Sequence, residues 1–210
     1  MNRERQLAGV NSYARELGFN PLDRVRARAV QGQHGSWLDL CCGTGRALLQ
    51  AAYQLRRDGL DDRITLVGVD LVDFFDPTPG VDLPVELVTA PVTSWAPARR
   101  FDLITCVHGL HYVGDKLATV TRAASWLTDD GLLVADLDLA SIRLPDGRPA
   151  GRALSGALRR AGFDYDARRR RITRTGRQDV SLGYTYLGAD DTAGPNYTNQ
   201  PAVNSYYKPQ

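Results

Sequence analysis

From Trp37 onward the chain alternates between two hydrophobic periods, and this limits its fold more than any other feature. Short apolar runs, WLDLCC, ITLVGVD, VELV, FDLITCV and LLVADLDL, have little polar interruption. Between them lie stretches with apolar residues at helical spacing: Leu48, Ala51, Ala52 and Leu55 in ALLQAAYQLRRDG, and Leu117, Val120, Ala124 and Leu127 in DKLATVTRAASWLTDDG. A strand covered on both faces reads as a continuous apolar run, and a helix covered on one face as a stripe of period 3.6. Their alternation predicts an α/β fold, a doubly wound, mostly parallel seven-stranded sheet with helices on both faces. The helix beginning at Asp115 is expected to run to Gly131, and GRALSGALRRAGF gives a further helix. RRRITRTGRQDVSLGYTYLG reads as two strands around a glycine turn, which places an antiparallel strand at one edge.

The ends of the chain read differently. Leu7, Val10, Tyr13 and Ala14 recur at helical spacing over residues 3–17, and Asn20-Pro21 ends that pattern. LVDFFDPTPGVDLP, with three prolines and a glycine, is expected to be a loop. Tyr197, Tyr206 and Tyr207 suit a tail packed back on the protein, and Tyr13 and Tyr53 suit the core. With 210 residues the sequence fits one domain: a helical cap over 1–34, a core over 35–188 and a packed tail over 189–210. No run is long enough to span a membrane, and the start MNRERQLAGVNSYARELGF lacks the apolar segment of a secretory signal. Three cysteines, two of them adjacent, fit reduced thiols in a cytoplasmic protein. A net charge of +2 by itself points neither toward nucleic acid nor away from it.

Between the first strand and its helix stands CCGTG, with Gly43 and Gly45 two residues apart. Glycine is costly unless the backbone must bend tightly or approach something closely. In a doubly wound sheet ligands sit beyond the carboxyl ends of the strands, and a helix N-terminus there offers N–H groups. Asp70 closes the second strand, where a carboxylate accepts both hydroxyls of a ribose. Either feature alone suits close packing or a solvated strand end; together they indicate a nucleoside cofactor. The third glycine of the dinucleotide pattern is absent.

LDLCCGTG resembles the first motif of class I S-adenosylmethionine-dependent methyltransferases, an acid followed by x-G-x-G-x-G. In this resemblance Asp39 is the acid, Cys41 takes the place of the first glycine, and Gly43 and Gly45 match the others. LVGVDL resembles the second motif, FDLITCVHGLHYVGD the fourth strand and its loop, and WLTDDGLLVADLD the fifth strand, so the likeness covers residues 35–140. It implies S-adenosylmethionine as cofactor and S-adenosylhomocysteine as product. Asp39, Cys41, Gly43, Gly45, Asp70, Leu71, Ala90, Pro91 and Val107 are the implied cofactor residues. Where the family often carries an acid for adenine, after the third strand, this chain has Ala90 and Pro91. Recognition there falls to backbone groups, to Thr89 or Thr93, or to stacking.

The candidate catalytic residues, His108 and His111, follow the fourth strand. An imidazole with an ordinary pKa near ~6.5 suits proton removal at neutral pH, and His108 is the preferred base. His111 also suits a packed, hydrogen-bonded ring. Tyr13, Tyr112 and Asp138 are candidate substrate contacts, each with a plain alternative in the core or at a strand end. Cys106, His108 and His111 lack a fourth ligand nearby, and no metal is expected. The run Arg168–Arg171, with Arg174 and Arg177, reads first as a solvated edge that discourages pairing between molecules.

These features imply methyl transfer to an O, N or C nucleophile of a small molecule, in specialised metabolism, by in-line attack with the two reactants held aligned. Two alternatives are an RNA or protein methyltransferase using the Arg168–Arg177 segment, and a protein of this fold repurposed as a cyclase or binding partner. Nucleic acid is a possible partner but not the favoured one, no membrane is expected, and the oligomeric state is left open.

Overall fold

The computed structural model describes residues 4–78, 82–195, 199 and 201–210. Helices α1 (Tyr13–Leu17) and α2 (Pro21–Val30) precede β1 (Gly35–Leu40), α3 (Arg46–Arg57), β2 (Ile64–Asp70), β3 (Val85–Thr89) and β4 (Phe101–Cys106). Then come α4 (Lys116–Ser125), β5 (Leu127–Asp136), β6 (Ile142–Arg143), α5 (Gly151–Arg160), β7 (Asp164–Asp166), β8 (Arg171–Thr175), β9 (Tyr184–Asp190) and β10 (Asn204–Pro209). Seven strands form one mixed sheet in the order β3-β2-β1-β4-β5-β8-β7, the expected class of fold. A second sheet has the order β6-β10-β9.

The chain divides into two compact units, Met1–Val107 and His108–Gln210. In the first, β1 is parallel to both β2 and β4, and β2 is parallel to β3. Every residue of β1 and β4 is buried, which requires cover on both faces of those strands. Leu48, Ala51, Ala52 and Leu55 of α3 are fully buried, as their stripe predicts. Tyr53 lies off that stripe and is exposed rather than in the core.

The expected helix over 3–17 is shorter. Gly9 has φ +111, outside the helical region, and Val10 is exposed, so only Tyr13–Leu17 is helical, capped by the Ser12 side chain. Gly18, left-handed at φ 81 and donating its N–H to the Ala14 carbonyl, ends α1 before Asn20-Pro21 is reached, and Asn20-Pro21 begins another helix instead: the Asn20 side chain accepts the Leu22 N–H, and Pro21 occupies the first turn of α2. The described part of 71–84 contains no helix, as its prolines predict.

In the second unit α4 ends at Ser125, and β5 already begins at Leu127, earlier than the helical reading to Gly131 placed it. Thr128, Asp129 and Asp130 are poor helix formers that follow a helix closed at Trp126. The expected hairpin of β8 with β9 does not form. β8 instead pairs antiparallel with β5 and with the short β7, while β9 pairs with β10. The β7–β8 turn is local, with Asp166 accepting the N–H groups of Arg168 and Arg169. β8 is thus the antiparallel strand, with β7 outside it.

The tail packs within this unit. Tyr207 is buried, and its hydroxyl accepts from the Leu117 N–H and donates to Asp115. Lys116 is fully buried, with Nζ donating to the carbonyls of Val113 and Val203 and to the Ser205 hydroxyl. Tyr206 is half-buried, and Tyr197 lies outside the described residues. Among the described residues no helix is long and apolar enough to cross a membrane.

Candidate functional site

In the first unit the turn after β1 has a left-handed backbone at Cys41, Gly43 and Gly45, with φ of 58°, 63° and 72°. Gly45 opens α3, and a Cβ there would stand 3.0 Å from a Leu87 methyl, so its smallness serves packing on β3. Gly43 has a different part. Its N–H donates to Asp70 Oδ2 at 2.8 Å, while Asp70 Oδ1 accepts from the Val72 N–H at 3.3 Å. The glycine turn and the acid ending β2 therefore form one constellation.

Asp39 lies deeper, 1% exposed. The Tyr13 hydroxyl donates to one of its oxygens at 2.5 Å and the Thr105 hydroxyl to the other at 2.6 Å. Trp37 Nε1 donates in turn to Thr105 Oγ1 at 2.8 Å. Burial pushes the Asp39 carboxyl up to about 7, against the two hydroxyl donors and with help from the Asp70 charge. Burial likewise raises the Tyr13 phenol, and the Asp39 charge adds to it. Leu71 is exposed beside Asp70, the Ala90 N–H donates to the Asp70 carbonyl at 2.8 Å, and Val107 is buried. Pro91 is exposed and uses its carbonyl within its own turn, accepting from Ser94 and Trp95.

In the second unit His108 has φ +59 and starts the 3₁₀ turn Gly109–Tyr112. Its N–H donates to Asp136 Oδ2 at 3.3 Å, and its ring Nε2 is 3.9 Å from the same oxygen. Ring Nδ1 is 3.4 Å from Nε2 of His111. Arg171 Nε donates to Asp136 Oδ1 at 3.0 Å, and both side chains are buried. His111 is 1% exposed, and burial lowers its pKa to about 4, with further lowering from His108, Lys116 and Arg170. Tyr112 is half-buried. Asp138 accepts the Ala140 N–H, which caps the turn Leu139–Ser141, and Arg170 lies 3.4 Å from its other oxygen.

Asp136, rather than Asp138, is the acid beside His108. Its signal is the antiparallel register that sets it opposite Arg171, legible only once β5 and β8 are known to pair. The arginine run is correspondingly divided. Arg168 and Arg169 are exposed, as a solvated edge requires, but Arg171 and Arg174 are buried. Arg174 donates to the Ala161 carbonyl and to Gln178. Cys41, Cys42 and Cys106 are not joined in disulfides.

A sequence model described as a methyltransferase domain matches residues 11–168. The chain belongs to the methyltransferase-domain family. The mixed seven-stranded sheet and the order of the motifs agree with the class I resemblance. Among curated proteins nothing matches. Similar solved structures include the plantazolicin methyltransferase BpumL with SAH, at 13% identity and a TM-score of 0.44, covering 71% of this chain and 51% of that one. NodS, an N-methyltransferase from Bradyrhizobium japonicum WM9 with S-adenosyl-L-homocysteine, is 16% identical with a TM-score of 0.43, covering 84% and 97% of the two chains. Coclaurine N-methyltransferase, bound to N-methylheliamine and SAH, is 21% identical with a TM-score of 0.41, covering 60% and 36%. The chain spans about half the length of the plantazolicin enzyme.

The residues of the methyltransferase turn fit a nucleoside cofactor at its ribose end. A carboxylate has about four acceptor positions, and the Gly43 and Val72 N–H groups take two of those on Asp70. At the end of β3 Ala90 and Pro91 offer no side-chain carboxylate.

Proposed function

We propose that this chain is an S-adenosylmethionine-dependent methyltransferase acting on an O, N or C nucleophile of a small molecule, in the cytoplasm and in specialised metabolism. One observation carries the reading: the 2.8 Å hydrogen bond from Gly43 N–H to Asp70, which makes the glycine turn and the strand-end acid a single binding element. The cofactor, when bound, supplies an electrophilic methyl group.

The chain's own residues do the rest. Asp70 accepts the ribose hydroxyls with its remaining lone pairs, and Gly43 keeps its carboxylate aimed. Cys41 and Gly45 shape the turn, and Asp39, tied to Tyr13 and Thr105, supports it from beneath. Leu71 supplies apolar cover for the nucleoside, backbone groups near Ala90 and Pro91 take over where the adenine acid is missing, and Val107 packs behind. His108 takes a proton from the nucleophile where it carries one. His111, buried and held neutral at pH 7, braces that ring, and Tyr112 contacts substrate. The hydrogen-bonded oxygens of Asp138 favour a structural part for it. The burial of Arg171 and Arg174 weakens the RNA reading, since neither guanidinium is on the surface to meet phosphates.

Calorimetry with S-adenosylhomocysteine tests the proposal. Wild-type protein should bind, and Asp70→Ala should lose about 1.5–3 kcal/mol for each charge-assisted hydrogen bond removed. With a substrate found by screening methyl-labelled S-adenosylmethionine, His108→Ala should lower turnover by about 10²–10⁴ and leave that affinity unchanged. Equal affinity of Asp70→Ala and wild type would sink the ribose assignment.

A further inference from the structure

Arg46 is the first residue of α3, directly after the glycine turn, and its guanidinium turns back over the loop that follows β2. Nε donates to Asp76 Oδ2 at 2.7 Å and Nη2 faces Asp76 Oδ1 at 3.4 Å, a two-point grip on one carboxylate. Nη1 lies 3.3 Å from Glu4. A backbone bond ties the same two segments, with the Asp76 N–H donating to the Thr44 carbonyl at 2.8 Å. At its other end the loop is fixed by Asp70, which accepts the Val72 N–H. The stretch between these anchors carries Leu71 and Phe74, exposed at 66% and 58% although both are large and apolar. Isolated exposed apolar residues need no explanation, but two of them on a loop held at both ends, beside the ribose acid, mark a surface shaped to be covered.

We propose that Arg46 is a positioning residue for the cofactor: its grip on Asp76 fixes the 71–78 loop to the glycine turn and keeps the Asp70–Leu71–Phe74 face formed before the nucleoside arrives. The proposal rests on the cofactor reading above. An exposed ion pair contributes little unless its geometry is two-pointed or it belongs to a network, and this one is both. Fixing a loop in its bound conformation removes an ordering cost from binding, and the gain shows mainly as slower dissociation. Two arginine roles are distinguishable. If Arg46 acted by touching the ligand, Asp76 would compete with the ligand for it. If it acts through the loop, Asp76 is as necessary as Arg46.

The test uses the full chain and S-adenosylhomocysteine as probe, with dissociation followed by stopped-flow. Arg46→Gln and Asp76→Asn should each speed dissociation about fivefold. The double variant should be no faster than either single one, and the exchanged pair, Arg46→Asp with Asp76→Arg, should recover most of the loss. Raising the salt concentration should move wild type toward the variants, because the pair is partly exposed. Thermal midpoints close to that of wild type would show that every variant is folded. Tighter binding by Asp76→Asn, additive effects in the double variant, or unchanged dissociation would each overturn the role. A wild-type protein that does not bind the probe, while staying folded, would overturn the cofactor reading and this role with it.

Discussion

Cys41 stands where the class I motif carries its first glycine, and its φ of 58° is the left-handed conformation that glycine adopts without strain. A side chain there costs roughly 1–2 kcal/mol, part of which is offset because cysteine has less freedom than glycine to lose on folding. Cys41→Gly should therefore raise stability by about 0.5–1 kcal/mol in denaturant titrations and leave S-adenosylhomocysteine affinity intact. A loss of stability would mean that the packing of the thiol outweighs the strain. The substitution was legible in the sequence, and so were Gly43 and Asp70, because a motif of fixed local spacing exposes them. The partners of Asp39 were not. Tyr13 and Thr105 reach it from 26 and 66 positions away, and no periodicity encodes a side-chain bond over such distances. Asp136 was hidden for the same reason, its arginine being 35 positions further on.

Among the elements, the C-terminal strand depends on a lysine that reads in sequence as an ordinary helix opening. Lys116 is buried without a carboxylate at hydrogen-bond distance among its described partners, and burial lowers its pKa to about 7. Three acceptors converge on its Nζ, two of them from the tail. Lys116→Met keeps the length and removes the donor, so those acceptors lose their partner at a cost of about 1–3 kcal/mol. Hydrogen exchange should then speed up at the amides of β10 and much less in α3. Uniform acceleration through both would show that Lys116 supports the whole chain rather than the tail. Strands β1, β2 and β4 and helix α3 were legible because each has one dominant period. The α4–β5 boundary was not, since Leu127 fits the helical stripe and also begins the strand. Nor was the pairing of β8, β9 and β10, because strands of mixed polar and apolar composition carry no partner signal.

At the scale of the whole molecule, two buried groups make stability depend on pH in opposite directions. Asp39, in the first unit, has its pKa raised from 3.8 to about 7, so the folded state holds a proton that the unfolded chain releases. Its contribution is complete below pH ~4 and is lost as pH rises through about 7. His111, in the second unit, has its pKa lowered from 6.5 to about 4, so the unfolded chain binds a proton that the folded state refuses. Its contribution is complete above pH ~6.5 and is lost as pH falls through about 4. Between roughly pH 4 and 6.5 the two slopes cancel, each amounting to about 1.4 kcal/mol per pH unit at full strength. Removing one should expose the other. Relative to wild type, Asp39→Asn should become more stable as pH rises from 4.5 to 6.5, and His111→Gln less stable over the same range. Denaturant titrations at three pH values measure both differences. Parallel curves for wild type and either variant would mean that the group titrates alike in the folded and unfolded chain, and that its burial carries no linkage. A pair of slopes with the expected signs would show instead that a near-flat wild-type profile hides two buried ionisations, one in each unit.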